Sequence, residues 1–210
     1  MSTATADSKT SDSRQREPLD QDRIINSAVG LLDLHAPDKL TLTMIANDLG
    51  VTQPALYKHV SGLDEVWRGL GLRERAELTR RLTDAAVGIG GEEAVRALAE
   101  AWRQFALDLP TLYGVGTRYP VAGDPELEAA VDDVIAVIAA ALRSFDLDDD
   151  ERMHAAVALR SALHGFCAFE LGDGNPSPLD SNDAFTHTIE LFLVGLRALA
   201  SGSIAELQEA

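Results

Sequence analysis

The stretch LTLTMIANDLGVTQPALYKHV, residues 40–60, holds two short apolar-periodic segments separated by a glycine. Two short helices that cross closely need a small residue where they touch, and Ala46 occupies that place in the first segment. Four residues later, Gly50 tolerates the positive φ of a sharp turn. Thr41 is placed to cap the first segment, and Pro54 suits the first turn of the second. The spacing predicts two short crossing helices.

The apolar residues of this stretch can share one small core, which leaves a second set facing outward. The core set is Leu42, Ile45, Leu49, Val51, Leu56 and Val60. The outward set is Thr52, Gln53, Ala55, Lys58 and His59. A short exposed helix of this composition suits the major groove of DNA, with its N-terminal residues nearest the base edges. An ordinary helical hairpin with a glycine turn is the alternative that spacing alone leaves open.

The rest of the chain is also periodic in the manner of helices, and the predicted fold class is all-α. Ile25, Ala28, Val29 and Leu32 predict an amphipathic helix before the quoted stretch. Later helices are predicted over about 63–86, 92–109, 125–145, 149–171 and 182–204. Residues 110–125 contain three glycines and three prolines, so they are predicted to be irregular, with at most one helical turn. No segment alternates with period two for long enough to predict a strand.

The net charge of −16 argues at first against a nucleic-acid partner. Residues 14–83, however, carry ten basic and ten acidic residues, whereas residues 84–210 carry seven and 22. The acidity therefore lies away from the N-terminal third, and a sequence-specific DNA binder is compatible with this distribution.

Composition also sets limits on location. No run approaches the roughly 18 to 20 apolar residues that a membrane span needs, so no membrane partner is expected. The first residues lack the apolar core of a secretory signal. Cys167 is the single cysteine, which excludes an intrachain disulfide and favours the reducing cytoplasm.

The segment ThrGlnProAlaLeuTyrLysHisVal (52–60), followed by a short break and a long helix, resembles the DNA-binding half of the tetracycline-repressor (TetR) family. The resemblance covers roughly residues 20–70. It implies a three-helix DNA-binding domain joined to a divergent helical domain that binds a ligand and dimerises. It also implies a homodimer that recognises a near-palindromic double-stranded operator and leaves it when a small-molecule effector binds, more often as a repressor than as an activator.

The resemblance also assigns roles to individual side chains. Gln53 and Pro54 are the implied base-reading pair, with Ala55 near a thymine methyl group, and Tyr57 and Lys58 are implied phosphate contacts. The complete implied DNA-binding set is Thr41, Thr43, Thr52, Gln53, Pro54, Ala55, Tyr57, Lys58 and His59.

Two departures from the family pattern weaken this assignment. Thr43 stands where many relatives have a longer basic residue, and the sequence 61–63 replaces a pattern that often ends in lysine. The domain boundaries predicted with this resemblance are a disordered tail over 1–17, a DNA-binding domain over 18–63, a ligand-binding and dimerisation domain over 64–205, and a second tail over 206–210.

Aromatic residues outside the first domain are candidates for a ligand pocket, with a few polar groups to orient an apolar or aromatic ligand. The candidate set is Trp67, Trp102, Phe105, Tyr113, Arg118, Tyr119, His164, Phe166, Phe169 and Glu170. Packing in an ordinary core is the competing explanation for each aromatic residue. For dimerisation, the wide apolar stripe of the last helix is the candidate surface, namely Phe185, Ile189, Phe192, Leu193 and Leu196.

Catalysis, a metal and a cofactor are not expected. His164, Cys167 and Glu170 share roughly one helix face, but no second group of ligands lies nearby in sequence. Asp146, Asp148 and Asp150 resemble the start of a calcium loop that lacks its later ligands, so they are better explained as acid before a helix. The chief rival to the regulator is a helical small-molecule-binding or scaffolding protein that no longer binds DNA.

Overall fold

The computed structural model describes residues 18–116, 120–172 and 180–202. These residues form nine α-helices and no strand, which confirms the all-α prediction. The helices are α1 (Gln21–Leu34), α2 (Leu42–Leu49), α3 (Gln53–Leu56), α4 (Leu63–Ala86), α5 (Gly91–Asp108), α6 (Pro110–Gly116), α7 (Pro125–Ala141), α8 (Asp149–Leu171) and α9 (Ser181–Ala200). Two short 3-10 helices lie over Pro37–Lys39 and Leu142–Ser144. None of the described helices is long and apolar enough to cross a bilayer.

Side-chain caps fix where several helices begin. The Asp20 carboxylate accepts from the Arg23 amide at 2.8 Å at the start of α1. Asp148 forms a capping box at the start of α8, and Asp180 caps α9. Each cap satisfies amides that the first helical turn leaves without a backbone partner.

Helix α4 is the central element, because it packs against α1, α5, α6 and α7. Its inward residues recur every four positions, and Val66, Leu70, Leu78 and Leu82 are each at most 3% exposed. The residue in the middle of that series is Glu74, which is also buried. A charged group therefore lies in the centre of the main helix–helix contact.

The N-terminal helices rest on the first half of α4. Gly69 makes this possible, since a Cβ atom at that position would lie 2.5 Å from the Ile25 Cδ1 atom of α1. The hydrophobic core continues from α1 to α9. The predicted boundary between 63 and 64 thus separates two parts that share one core.

The prediction for residues 110–125 was wrong in one respect. Residues 110–116 form the complete helix α6, which is two turns long and begins at a proline, a residue that the first helical position accepts. Leu112, Tyr113 and Val115 are buried, and this burial stabilises the helix despite its glycines. The predicted helix over 125–145 ends at Ala141 and continues as a 3-10 turn. The predicted tails over 1–17 and 206–210 lie outside the described residues.

Candidate DNA-recognition surface and effector cavity

The turn between α2 and α3 has the predicted geometry. The Thr41 hydroxyl accepts from the Met44 amide at 3.2 Å and caps α2. Gly50 adopts the left-handed conformation with φ of +65°, and the Val51 amide donates to the Ala46 carbonyl at 2.9 Å. Ala46 itself is 3% exposed, where α2 packs into the N-terminal core. Backbone geometry and close packing together set the orientation of α3.

Helix α3 is shorter than predicted, because only Gln53–Leu56 is α-helical and turns continue to residue 59. Leu56 and Val60 are at most 2% exposed and anchor this segment. The Thr43 hydroxyl of α2 donates to the Gln53 amide oxygen at 3.2 Å. This hydrogen bond orients Gln53, so Thr43 has a structural partner on α3.

The residues implied to contact DNA lie on one continuous part of the chain, which we call the reading face. Thr41, Thr43, Thr52, Pro54, Tyr57 and Lys58 are exposed, and Gln53, Ala55 and His59 are half-buried. The side chain of Tyr57 is 54% exposed although it is large and aromatic. No member of the reading face is used to build the core, so all nine are available to a partner.

The start of α4 differs from the basic pattern of relatives. The Glu65 carboxylate accepts from the Ser61 amide at 2.5 Å, and this hydrogen bond lowers the pKa of Glu65. The Ser61 amide is therefore already paired with an acidic side chain. The sequence 61–63 lacks the lysine of the pattern that it resembles, and the structure has a hydrogen bond between the Ser61 amide and the Glu65 carboxylate at this point of the chain.

A cavity of about 150 Å³ lies between α4, α5, α6, α7 and α8, and we call it the inner cavity. Its walls are Glu74, Arg75, Leu78, Trp102, Tyr113, Val121, Val131, Val134, Arg160 and His164. Of the predicted pocket residues, three belong to this wall, namely Trp102, Tyr113 and His164. The charged residues of the wall were missed by sequence reasoning, although the position of Glu74 within an apolar series was a usable signal.

Three aromatic side chains form a hydrogen-bonded chain in the inner cavity. The Trp102 indole Nε1 donates to the Tyr113 hydroxyl at 3.2 Å, and that oxygen lies 2.7 Å from the His164 Nδ1 atom. The indole only donates, so the Tyr113 oxygen accepts from Trp102, and the Tyr113 hydroxyl can donate to the Nδ1 atom of the His164 tautomer that carries its proton on Nε2. Burial and the nearby Arg160 charge lower the pKa of His164, which keeps the ring neutral. Burial also raises the pKa of Tyr113.

The charged groups of the inner cavity are unevenly paired. Arg75 donates to the carbonyl oxygens of Gly71 and Gly116, at 2.8 and 3.1 Å. Its closest approach to Glu74 is 3.6 Å, longer than a hydrogen bond. Burial raises the pKa of Glu74 to about 7, against the lowering effect of Arg75 and Arg160. Burial likewise lowers the pKa of Arg75.

A wider groove of about 570 Å³ lies on the other side of Tyr113 and His164, and we call it the outer groove. Its remaining wall includes Leu32, His35 and Pro37, which lie at the end of α1 and beyond it. Tyr113 and His164 thus form a partition between the inner cavity and a groove that borders the N-terminal helices.

The other predicted pocket residues lie elsewhere. Phe105 is fully buried, with Tyr113 edge-on at 6.0 Å between ring centroids, so it belongs to the core. Phe169 is 67% exposed on the outer side of α8. Trp67 is half-buried on α4, away from the walls of both cavities. Arg118 and Tyr119 lie outside the described residues.

Phe166 and Glu170 form a separate cluster with Arg103. The Arg103 guanidinium donates to both Glu170 carboxylate oxygens, at 2.5 and 2.9 Å, and lies 5.8 Å from the Phe166 ring centroid. Cys167 is buried beside this cluster, and burial raises the pKa of its thiol to about 12. Cys167 and Glu170 thus lie near Arg103, whereas His164 contacts Tyr113, and within the described ranges no group of three such side chains could hold a metal ion.

The predicted dimer residues of α9 point into their own subunit. Phe185, Ile189, Leu193 and Leu196 are each at most 5% exposed, and Phe192 is half-buried. The wide apolar stripe is explained by packing against α5 and α8. The large apolar side chains that α8 and α9 leave on the surface are Met153, Val157, Phe169, Leu171, Leu191 and Val194.

Comparison with known proteins places these features in context. Residues 95–192 match the family described as "Tetracyclin repressor-like, C-terminal domain". An uncharacterized HTH-type transcriptional regulator from Mycobacterium tuberculosis is 32% identical over 179 residues, which cover 85% of this chain and 82% of that protein. A second uncharacterized HTH-type regulator, from Bacillus subtilis, is 25% identical over 179 residues, or 85% and 93% of the two chains.

Solved structures share the fold. A TetR-type transcriptional regulator from Streptomyces coelicolor superposes with a TM-score of 0.70 at 22% identity, covering 87% of this chain and 100% of that one. The TetR family protein ActR from the same organism, crystallised in complex with (S)-DNPA, gives a TM-score of 0.62 at 21% identity and covers 88% and 100%.

Proposed function

This chain belongs to the TetR family of helix-turn-helix transcriptional regulators, and from that premise we propose that it is a homodimeric repressor released from a near-palindromic operator by a small molecule. The observation that supports this most directly is the reading face, whose nine residues are left free of the core. The operator lies on DNA, so the protein is expected to act in the cytoplasm and without a catalytic step.

We assign base recognition to Gln53, Pro54 and Ala55. A glutamine amide can bond to both adenine N6 and N7, a contact worth about 1–3 kcal/mol of discrimination. The hydrogen bond from Thr43 orients the Gln53 amide oxygen before DNA is bound, which reduces the entropy lost on binding. Tyr57 and Lys58 are assigned to phosphates, where they set the register rather than the sequence.

We assign dimerisation to the outward side of α8 and α9. Leu191 is 73% exposed, Val194 is 55% exposed and Val157 of α8 is 40% exposed. Helices α8 and α9 pack against each other, and exposed apolar groups on two adjacent helices are a common sign of an interface between subunits. Two helices from each subunit then form a four-helix contact about a twofold axis, which relates the two reading faces.

Helix α6 is placed to connect the effector to the reading face. It packs against both α1 and α4, and its Tyr113 borders both the inner cavity and the outer groove. A ligand that moves Tyr113 would shift α6 against α1 and change the spacing of the two reading faces. Release requires only that the ligand bind more tightly to the conformation that does not fit the operator.

The proposal is tested by selecting bound fragments from random duplex DNA, followed by a salt titration on the enriched sequence. We expect an enriched near-palindrome. The Lys58→Ala variant should lower the slope of log K against log salt by about 1 per subunit, because one phosphate contact is lost. The Gln53→Ala variant should instead relax base preference at one position in each half-site.

Arg143→Ala is the matched control, because it removes a positive charge far from the reading face. The Ser144 hydroxyl next to it accepts from the Gly91 amide, which follows the C-terminal end of α4 in the chain. Helix α4 has 24 residues, so this end lies about 36 Å along the helix axis from the N-terminal end of α4, which follows the reading face in the chain. Absence of enrichment at low salt would contradict DNA binding. Binding that is unchanged in both the Lys58 and Gln53 variants would contradict the assignment of the reading face.

A further inference from the structure

The inner cavity carries an excess of positive charge. Arg75 and Arg160 both line it, and Glu74 is the acidic residue in its wall. The Glu74 carboxyl titrates near neutral pH, since burial raises its pKa to about 7. An arginine side chain carries a positive charge, and the neutral His164 ring adds none. At neutral pH the cavity therefore holds two cations against at most one anion.

Arg160 is the unusual member of this group. It forms no hydrogen bond and no ion pair with any residue in the described part of the chain. Glu74, Arg75, Tyr113 and His164 line the same cavity as Arg160, and the Arg160 charge shifts the pKa of each of them. Arg160 is half-buried, and an anion in the inner cavity would give its guanidinium a charge-assisted hydrogen bond that it does not make within the described residues.

The other residues of the cavity wall are uncharged, so they restrict the shape of a ligand and not its charge. Trp102 presents an aromatic surface, and Leu78, Val131 and Val134 are apolar. The volume of about 150 Å³ is that of a cavity which holds one benzene-sized ring. The cavity thus combines an aromatic and apolar part of its wall with the guanidinium of Arg160, which has no hydrogen-bond partner in the described part of the chain.

We propose that the effector is a monocyclic aromatic carboxylate, whose carboxylate pairs with Arg160 and whose ring lies against Trp102 and the valines of α7. This proposal rests on the proposed function, because it takes the inner cavity as the effector site. A planar guanidinium matches a carboxylate with two parallel hydrogen bonds. A protonated Glu74 can donate a further hydrogen bond to the same anion.

Other ligand classes fit less well. A cationic ring would face Arg75 and Arg160 with a single partly ionised carboxyl to offset them. A neutral ring would fill the apolar space but leave Arg160 without a partner. The carboxylate is the one class of the three that satisfies the ring space and the guanidinium together.

The test uses three probes of the same size that differ in charge: benzoate, benzamide and benzylamine. Binding to the full-length protein is measured by calorimetry at neutral pH and by the fluorescence of Trp102 in a Trp67→Phe background. We expect benzoate to bind about tenfold or more tightly than benzamide, because charged hydrogen bonds are stronger than neutral ones. Benzylamine should not compete with benzoate.

Arg160→Gln should weaken benzoate about tenfold or more and leave benzamide nearly unchanged. Arg160→Lys should keep a weaker preference for benzoate, since an ammonium retains the charge without the planar fork. Arg143→Gln, outside the cavity, is the matched control and should bind benzoate as the wild type does. Equal binding of benzoate and benzamide, a preference for benzylamine, or benzoate binding unaffected by Arg160→Gln would each overturn the proposal.

The same preparation separates this proposal from the proposed function. If an operator is selected but benzoate does not bind, the effector class is wrong and the regulator stands. If benzoate binds through Arg160 but does not weaken operator binding, the ligand site stands and release by this effector fails.

Discussion

Glu74 shows how one buried side chain can carry both an energetic cost and a use. It interrupts an otherwise apolar series on α4, and Gly116 packs so closely on its side chain that a Cβ atom there would overlap it. Burial of an ionised carboxylate is unfavourable without hydrogen-bonded partners. We infer that the Glu74 carboxyl offsets positive charge in the inner cavity, because the charges of Arg75 and Arg160 act on it.

Glu74 should make stability depend on pH. The native protein holds this proton up to about pH 7, whereas the unfolded chain releases it near 4.5. The native state thus binds more protons between these values, so the free energy of unfolding falls as pH rises from about 4.5 to about 7. Glu74→Gln should remove this fall. The free energy of unfolding of the variant minus that of the wild type should be larger at pH 8 than at pH 5, by roughly 2–3 kcal/mol.

Urea unfolding of both proteins at pH 5 and pH 8 measures this difference. His164 has a lowered pKa, so its effect appears as pH falls below 6.5 and is common to both proteins. Glu100→Gln, on the exposed side of α5, is the matched control for removal of an acid group. A stability difference between Glu74→Gln and wild type that is the same at both pH values would contradict the account.

At the scale of single helices, the start of α2 separates folding from DNA contact. The Thr41 hydroxyl caps α2 and is also a member of the reading face. Aspartate caps a helix at least as well as threonine, but it repels phosphate. Thr41→Asp should therefore keep the free energy of unfolding within about 0.5 kcal/mol and weaken operator binding about tenfold or more.

Thr41→Ala and Thr41→Ser complete this experiment. The alanine variant should lose about 1 kcal/mol of stability with the cap, and the serine variant should keep both stability and affinity. Denaturant unfolding and operator binding at one fixed salt concentration provide the two measurements. Normal operator binding by Thr41→Asp would show that no phosphate lies near this residue.

Local signals determined how much of these elements the sequence could predict. The cap at Thr41, the left-handed glycine at 50 and the start of α4 at 63 each depend on residues within one turn, and all three were predicted. The length of α6 depends on burial of Leu112 and Tyr113 by distant helices, so composition suggested irregular chain. Which side of an apolar helix faces its own subunit also depends on distant packing, so the sequence alone did not show that Phe185 and Ile189 are buried within the subunit.

The candidate sites divide in the same way. The reading face follows from a contiguous segment, so its residues could be identified together. The inner cavity is assembled from five helices, and charged residues such as Arg75 and Arg160 gave no local sign of facing inward. The sequence therefore predicted Trp102, Tyr113 and His164 of the cavity wall. It did not predict the charged wall residues, which are Glu74, Arg75 and Arg160.

For the whole molecule, the charge distribution favours one orientation on DNA. The segment 14–83 is balanced, whereas residues 84–210 carry seven basic and 22 acidic residues. Phosphates repel the acidic body, so the N-terminal helices approach first. A near-neutral recognition domain also limits non-specific affinity, and the two subunits must then act together to hold an operator.

This requirement predicts the effect of breaking the dimer. Leu191→Glu places a charge on the most exposed large apolar residue of α9, at 73% exposure, without touching the subunit core. Burying that charge between subunits is unfavourable, so the variant should be monomeric at micromolar concentration by sedimentation velocity. Its operator affinity should fall about 100-fold or more, since each half-site is then bound separately, while its thermal unfolding as a monomer remains cooperative.

Leu107→Glu is the matched control, because Leu107 is a 43% exposed leucine on α5, away from the proposed interface. It should remain dimeric and bind the operator as the wild type does. A dimeric Leu191→Glu variant would exclude the outward side of α9 from the interface. A monomeric Leu107→Glu variant would instead place the twofold axis at α5, and the two reading faces would then need a different spacing on DNA.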